Sequence, residues 1–136
     1  MSNISLSIIV PVYNEESSIL PFLEEVQKNL KNIEKYEIIF CLDPSTDNTE
    51  EIIQKQAEIN KNIKLIVFSR RFGQPAATMA GILNCSGDAC VIIDVDLQDP
   101  PNLIPKLYDK YLEGYDTVLA KRKTREGETI IKKIIA

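Results

Sequence analysis

The chain has 136 residues, of which 44% are hydrophobic and 26% charged, and carries a formal net charge of −4. That is the size and composition of one ordinary globular domain, too apolar for intrinsic disorder and too acidic for a general nucleic-acid binder. It contains no histidine, which removes Ser-His-Asp and Cys-His catalysis, histidine bases and the common zinc sites, and leaves carboxylates, arginines and hydroxyls for any chemistry.

The three cysteines, Cys41, Cys85 and Cys90, are odd in number, lack metal-ligand spacing and lie in or beside apolar runs. They read as small hydrophobes in a reducing compartment. Met1-Ser2-Asn3 offers no basic n-region of a signal peptide. The longest apolar runs are strand-length, short of the ~20 residues that a membrane span needs. A soluble, cytoplasmic chain is expected.

In chain order, Leu6–Val12 is a β-branched apolar run and reads as a strand. Ile19, Phe22, Leu23, Val26 and Leu30 then recur at helical spacing, with Asn14 or Ser17 as the expected cap. Residues 37–42 form a second strand. Asp47 and Glu50 have the spacing of a capping box, and the helix after them turns Ile52, Ile53 and Ala57 inward. Residues 63–68 form a third strand. Gly73-Gln74-Pro75 opens a helix that ends near Asn84, before a Ser86-Gly87-Asp88 turn. Residues 89–93 read as a strand buried on both faces. Pro100-Pro101-Asn102 starts the next helix and Gly114 closes it. Residues 117–120 form a short fifth strand, and 129–136 read as a helix cut mid-run, which predicts a longer parent protein. The alternation predicts an α/β fold with three α/β/α layers and a mostly parallel sheet, a Rossmann-like arrangement forming a single domain over 1–136.

Ligands of such sheets bind outside the carboxyl ends of the strands, so the loops there carry the functional argument. The first loop has no G-x-G-x-x-G and no P-loop lysine motif, so a nucleotide's phosphates must be neutralised otherwise. Asp94-Val95-Asp96 ends the fourth strand. In extended backbone, residues two apart point to one side, so these carboxylates either cap the following turn or converge on a hard divalent cation with Gln98 adding a carbonyl oxygen. Asn14-Glu15 is a helix cap or faces a base or ribose. Asp43 is a turn residue before Pro44 or an acceptor for a pyrimidine imide N–H. In Ser69-Arg70-Arg71-Phe72-Gly73-Gln74 the arginines are either solvated or bind anions, since guanidinium pairs bidentately with phosphate. The basic run 121–125 carries the same two readings.

Five segments, IIVPVYNEE (8–16), EIIF-LDPSTDNT (37–49), FSRRFGQPAATMAGI (68–82), GDACVIIDVDLQDPP (87–101) and KRKTREGET (121–129), run in order across nearly the whole chain. As a set they resemble the family 2 glycosyltransferases of the GT-A fold, and among these the polyprenyl-phosphate sugar transferases acting on dolichol or undecaprenyl phosphate. The resemblance implies a metal-dependent, inverting transfer of a sugar from a nucleoside diphosphate sugar, with UDP-sugars favoured, to a polyprenyl phosphate in cell-envelope glycan synthesis. It implies Mg²⁺ or Mn²⁺ as cofactor, held by Asp94, Asp96 and Gln98. It places Pro11, Tyr13, Glu15 and Asp43 in the nucleobase pocket, Arg122 and Arg125 near donor or acceptor phosphates, and Ser69, Arg70, Gly73, Gln74 and Asp94 among the substrate-binding residues. An acceptor phosphate is largely ionised near neutrality and needs little help from a base; Asp96 and Asp99 are the candidate assisting carboxylates. It further implies the inner membrane face as the parent's location, no nucleic-acid partner, and room for a homo-oligomer.

The chain departs from the family where Leu42 replaces an acid, where Arg71 stands for a frequent asparagine and where Gln74 stands for a frequent histidine. The competing expectations are a nucleotide-sugar-binding module without turnover and a family 2 transferase acting on a saccharide. A nucleotidyltransferase lacks its glycine-rich loop here, and a receiver domain would need its acids after the first strand.

Overall fold

The computed structural model describes residues 4–121 and, for the backbone alone, 131–135. Strand β1 (Leu6–Val12) leads into α1 (Ile19–Asn29), β2 (Tyr36–Leu42), α2 (Thr49–Ile59), β3 (Ile63–Val67), α3 (Gln74–Asn84), β4 (Ala89–Ile92), α4 (Leu103–Leu112), β5 (Thr117–Lys121) and β6 (Ile131–Ile135). The sheet order is β3-β2-β1-β4-β6-β5. The first four strands pair in parallel, as the βα alternation requires. Strand β6 runs antiparallel between β4 and β5.

That last strand corrects an expectation. The spacing of the isoleucines in 130–135 fits a helix, yet residues 131–135 extend and fill the gap between two neighbouring strands. β-Branched residues have a weak helix preference, and two free ladders outweigh a local pattern. Residues 122–130, with Arg122 and Arg125, lie outside the described residues.

Alternation along the strands builds two apolar layers. On one face Leu6, Ile8 and Val10 of β1 and Ile38 and Phe40 of β2 pack under Phe22 and Val26 of α1, Ile53 of α2 and Ile104 and Leu107 of α4. On the other, Ile9, Ile39 and Cys41 pack under Ala77 of α3, with Cys90 of β4. Burial on both faces explains why β1 and β2 read as continuous apolar runs.

Helix α3 approaches the sheet through Gly81. A Cβ there would lie 2.5 Å from Ile9 Cγ2 and 2.9 Å from Cys41 Sγ, both on buried residues. Gly81→Ala is therefore expected to destabilise the fold by about 1–3 kcal/mol through overpacking, read as a lower melting temperature. An unchanged melting temperature would refute this close packing.

Two helix starts differ from expectation. Helix α1 is capped at Ser18, not at Asn14 or Ser17. Helix α2 is capped at Asn48, so Asp47 and Glu50 do not form a reciprocal box. Asp47 instead accepts the Thr49 N–H and hydroxyl, and Glu50 takes a hydrogen bond from Gln54. Gly114 follows α4 at φ 111°, the left-handed C′ conformation anticipated for it. Among the described residues no helix is long and apolar enough to cross a membrane.

Candidate functional site

Strand β1 continues to β2 on one side, whereas its other neighbour, β4, is reached only after β3 and α3. This reversal is the topological switch point where open α/β sheets bind ligands. A cleft of about 290 Å³ lies there. Pro11, Val12, Tyr13 and Glu15 line it from the end of β1, and Asp43 from the end of β2. Arg71, Gly73, Gln74 and Ala77 come from the start of α3, and Asp94 and Asp96 from beyond β4.

The loops after β1 and β2 are clasped together. Asn14, at φ 49°, accepts the Thr46 N–H through its side-chain oxygen at 2.9 Å and gives its own N–H to Ser45 Oγ at 3.0 Å. The Glu15 N–H donates to Thr49 Oγ1 at 2.9 Å, a hydroxyl on a fully buried residue. Glu16 N–H donates to Asp47, and Asn48 N–H donates back to Glu16. These bonds take Asn14 out of its expected capping role and fix where Tyr13 and Glu15 enter the cleft.

Asp43 is 3% exposed. Its carboxylate accepts the Phe72 and Gly73 N–H groups at 3.0 Å each, which ties the loop before α3 to the end of β2. Gly73 permits this at φ 91°, a conformation that side chains disfavour. The two arginines of that loop then part. The Arg70 guanidinium stacks on Phe72, 4.2 Å from its centroid, and Arg70 does not line the cleft. Arg71 stacks on Tyr13 at 4.1 Å and does.

Asp94 Oδ1 accepts a hydrogen bond from Gln74 Nε2 at 3.0 Å. Asp96 Oδ1 accepts the Gln98 N–H at 3.2 Å across a turn in which Leu97 takes φ 64°. Burial raises the pKa of Glu15; the charges of Asp96, Asp47 and Asp94 raise it further, against a hydrogen bond with Ser18 that lowers it. Glu15, Asp43, Asp94 and Asp96 thus bring four carboxyl groups to a cleft that Arg71 also lines. Among the described residues no group of three or more His, Cys, Asp or Glu side chains is placed to hold a metal ion.

Of the residues singled out from sequence, Pro11, Tyr13, Glu15, Asp43, Gly73, Gln74, Asp94 and Asp96 share this cleft. Ser69, Arg70 and Gln98 are exposed and are not among its lining residues. Asp99 is 6% exposed and does not line the cleft either, so the candidate assisting carboxylate that reaches it is Asp96. Val12, Arg71 and Ala77 join the set. Arg71 had a signal in sequence, as half of an arginine pair beside a glycine; Val12 and Ala77 had none beyond their apolarity.

The sequence profile described as "Glycosyl transferase family 2" matches residues 7–134. The chain belongs to glycosyl transferase family 2. It is 44% identical over 136 residues to the uncharacterized glycosyltransferase YkcC of Bacillus subtilis (strain 168), covering 96% of this chain and 41% of that protein. It is 40% identical over 123 residues to the undecaprenyl-phosphate 4-deoxy-4-formamido-L-arabinose transferase of Proteus mirabilis (strain HI4320), covering 89% of this chain and 38% of that one. Among solved structures, the glucosyl-3-phosphoglycerate synthase of Mycobacterium tuberculosis in complex with Mn²⁺, UDP and glucosyl-3-phosphoglycerate superposes with a TM-score of 0.68 at 27% identity, over 90% of this chain and 45% of that chain. The fold of this family 2 chain is therefore the GT-A arrangement. The chain spans about two fifths of the length of the curated relatives it matches.

Proposed function

We propose that this family 2 chain binds the donor in a divalent-metal-dependent, inverting transfer of a sugar from a nucleoside diphosphate sugar to a polyprenyl phosphate at the inner membrane face. The observation that carries the reading is the convergence of Asp94 and Asp96 with Tyr13 and Asp43 in one cleft at the switch point. One end offers carboxylates, the other an aromatic face and an acceptor. The lipid acceptor is supported by the Proteus mirabilis relative's undecaprenyl-phosphate activity, and the metal and UDP by the composition of the mycobacterial complex.

The donor set fits a hard cation. Mg²⁺ and Mn²⁺ take oxygen ligands and are commonly held by one or two carboxylates, with substrate phosphates and water completing the shell. Two exposed or half-buried aspartates meet that need without a third protein carboxylate. Asp94 and Asp96 would hold the ion, which when bound neutralises charge developing on the departing diphosphate. The chain's own residues orient the donor. Gln74 keeps Asp94 in place, the Asn14 and Thr49 bonds hold the Tyr13–Glu15 turn, and Asp43 presents its remaining lone pairs to a base N–H. The ionised acceptor oxygen attacks the anomeric carbon from the face opposite the diphosphate. The new C–O bond forms as the old one breaks, and the nucleoside diphosphate leaves with that electron pair.

Calorimetric titration of UDP and GDP into the chain, with and without Mn²⁺, tests the donor half of this reading. Micromolar binding that requires the metal is expected for one of them. Binding of neither, or equal binding with and without metal, would refute it.

A further inference from the structure

Asp43 follows β2 and Asp94 follows β4, with β1 between those strands in the sheet. Two strand spacings, roughly 10 Å, separate the two strand ends. The start of α3 bridges them. On one side the Asp43 oxygens accept the Phe72 and Gly73 N–H groups at 3.0 Å each. On the other, the next residue, Gln74, donates through Nε2 to Asp94 Oδ1 at 3.0 Å. Hydrogen bonds and two peptide links thus run unbroken from Asp43 to Asp94, with Gly73, at φ 91°, as the joint. The body that carries Gln74 is firmly seated. Ala77 of α3 is 2% exposed, and Gly81 lies so close to Ile9 and Cys41 that a Cβ would not fit.

We infer that Asp43 and Gln74 form a brace that positions Asp94 before any nucleotide arrives, so that Asp43 governs metal affinity from the far side of β1. Both are positioning residues in this role. The brace deepens the donor-binding reading above, on whose metal half it rests, by coupling the two ends of the donor site. Its physical basis is preorganisation. An aspartate held by an outer partner loses less side-chain freedom when a cation binds. A carboxylate oxygen carries two lone pairs, so the Gln74 amide and a cation can share Asp94. The amide is also neutral, so it orients Asp94 without opposing a cation, as a lysine or arginine in its place would. The anchor at the other end is strong, because hydrogen bonds to an ionised acceptor are charge-assisted and Asp43 is 3% exposed. Gln74 itself is exposed, and its aim follows from the loop that Asp43 fixes.

The test titrates Mn²⁺ into the chain without nucleotide, reading the free ion by electron paramagnetic resonance. Gln74→Ala is expected to weaken Mn²⁺ binding about tenfold, the lower end for loss of an outer partner of a metal ligand, while the melting temperature holds. Asp43→Asn, which turns an amide donor toward one of the two N–H groups, is expected to weaken it about as much. The double variant binds no more weakly than the weaker single one, because one path serves both residues. Gly73→Ala strains the joint without removing a charge or a polar group; its Cβ meets only Pro75 Cδ, at 3.9 Å, and Mn²⁺ affinity is expected to fall here too. Unchanged Mn²⁺ affinity in folded Asp43→Asn, or in Gly73→Ala should Asp43→Asn not fold, would overturn the inference. So would losses that multiply to about 100-fold in the double variant, since Asp43 would then act on the cation through its charge alone. A wild type that binds Mn²⁺ only together with UDP or GDP overturns the brace and leaves the donor-binding reading standing. A wild type that binds neither metal nor nucleotide takes both down.

Discussion

Asp96→Ala is expected to weaken Mn²⁺-dependent donor binding on the order of 100-fold while leaving the fold intact. The two halves of that expectation have separate causes. Asp96 is exposed and accepts the exposed Gln98 N–H two residues on, so removing its side chain leaves the core untouched. Exposed positions of that kind change stability by no more than about 0.5 kcal/mol. The ligand loses far more. With Asp96 gone, Asp94 is the one carboxylate from beyond β4 that lines the cleft among the described residues, and it already shares Oδ1 with Gln74. A hard cation then has one carboxylate where Mg²⁺ or Mn²⁺ sites commonly use two, and losing even an outer partner of a metal ligand costs 10- to 100-fold. Calorimetry on Asp96→Ala and on the isosteric Asp96→Asn, with melting curves for both, decides the matter. A folded variant with wild-type donor affinity in Mn²⁺ would sink the metal assignment. Equal weakening with and without metal would point to a direct contact with the donor instead.

The parts of this site that were readable in the sequence are those fixed by chain geometry. A carboxylate that ends a buried parallel strand must emerge at the ligand edge of the sheet, which is why Asp43, Asp94 and Asp96 are identifiable from the sequence. Gly73 was readable because a glycine before Gln74-Pro75 marks a helix start. What was not readable depends on side-chain direction or on distant pairing. Arg70 and Arg71 are adjacent and chemically identical; which one faces the cleft is settled by the rings of Phe72 and Tyr13. Gln98 is not among the residues lining the cleft, and the turn before it, with Leu97 at a positive φ, is one that nothing in a leucine announces. Asp99 is buried, a fact of tertiary packing. Asn14 has the residue type of a helix cap, yet its oxygen is used by Thr46, 32 residues away. Strand β6 follows the same logic, since its extended form comes from the strands on either side of it.

The second large effect is expected at the opposite edge of the sheet, where Glu37→Gln should destabilise the fold by about 1–3 kcal/mol without changing donor affinity. Glu37 is the second residue of β2 and is 1% exposed. Its Oε1 accepts the Ser7 hydroxyl and the Ser86 N–H, both at 2.6 Å, and its Oε2 pairs with Lys64. Ser7 in turn accepts the Gly87 N–H at 2.8 Å, so one carboxylate joins β1, β2, β3 and the turn before β4. Gly87 is required there, because a Cβ would lie 2.7 Å from the Ser7 backbone nitrogen. Burial pushes the Glu37 carboxyl upward, but the Lys64 ammonium and the Ser7 and Ser86 hydrogen bonds outweigh it and leave the pKa below its usual 4.5. Lys64 is half-exposed at 49%, so solvent screens the ion pair and the fixed hydrogen bonds to a charged acceptor supply most of the effect, about 1.5–3 kcal/mol for such a group. Because the folded pKa is depressed, the contribution is fully present above about pH 4.5 and is lost as the pH falls through the folded value. Urea midpoints of the wild type should therefore drop more steeply than those of Glu37→Gln as the pH falls below about 4.5, because the variant has no charge to lose. Parallel pH profiles for the two proteins, or a variant as stable as the wild type at pH 7, would mean that this carboxylate does not tie the four segments together. A change in donor affinity at pH 7 would mean that the two edges of the sheet are coupled, which no contact between Glu37 and the cleft residues supports among the described residues.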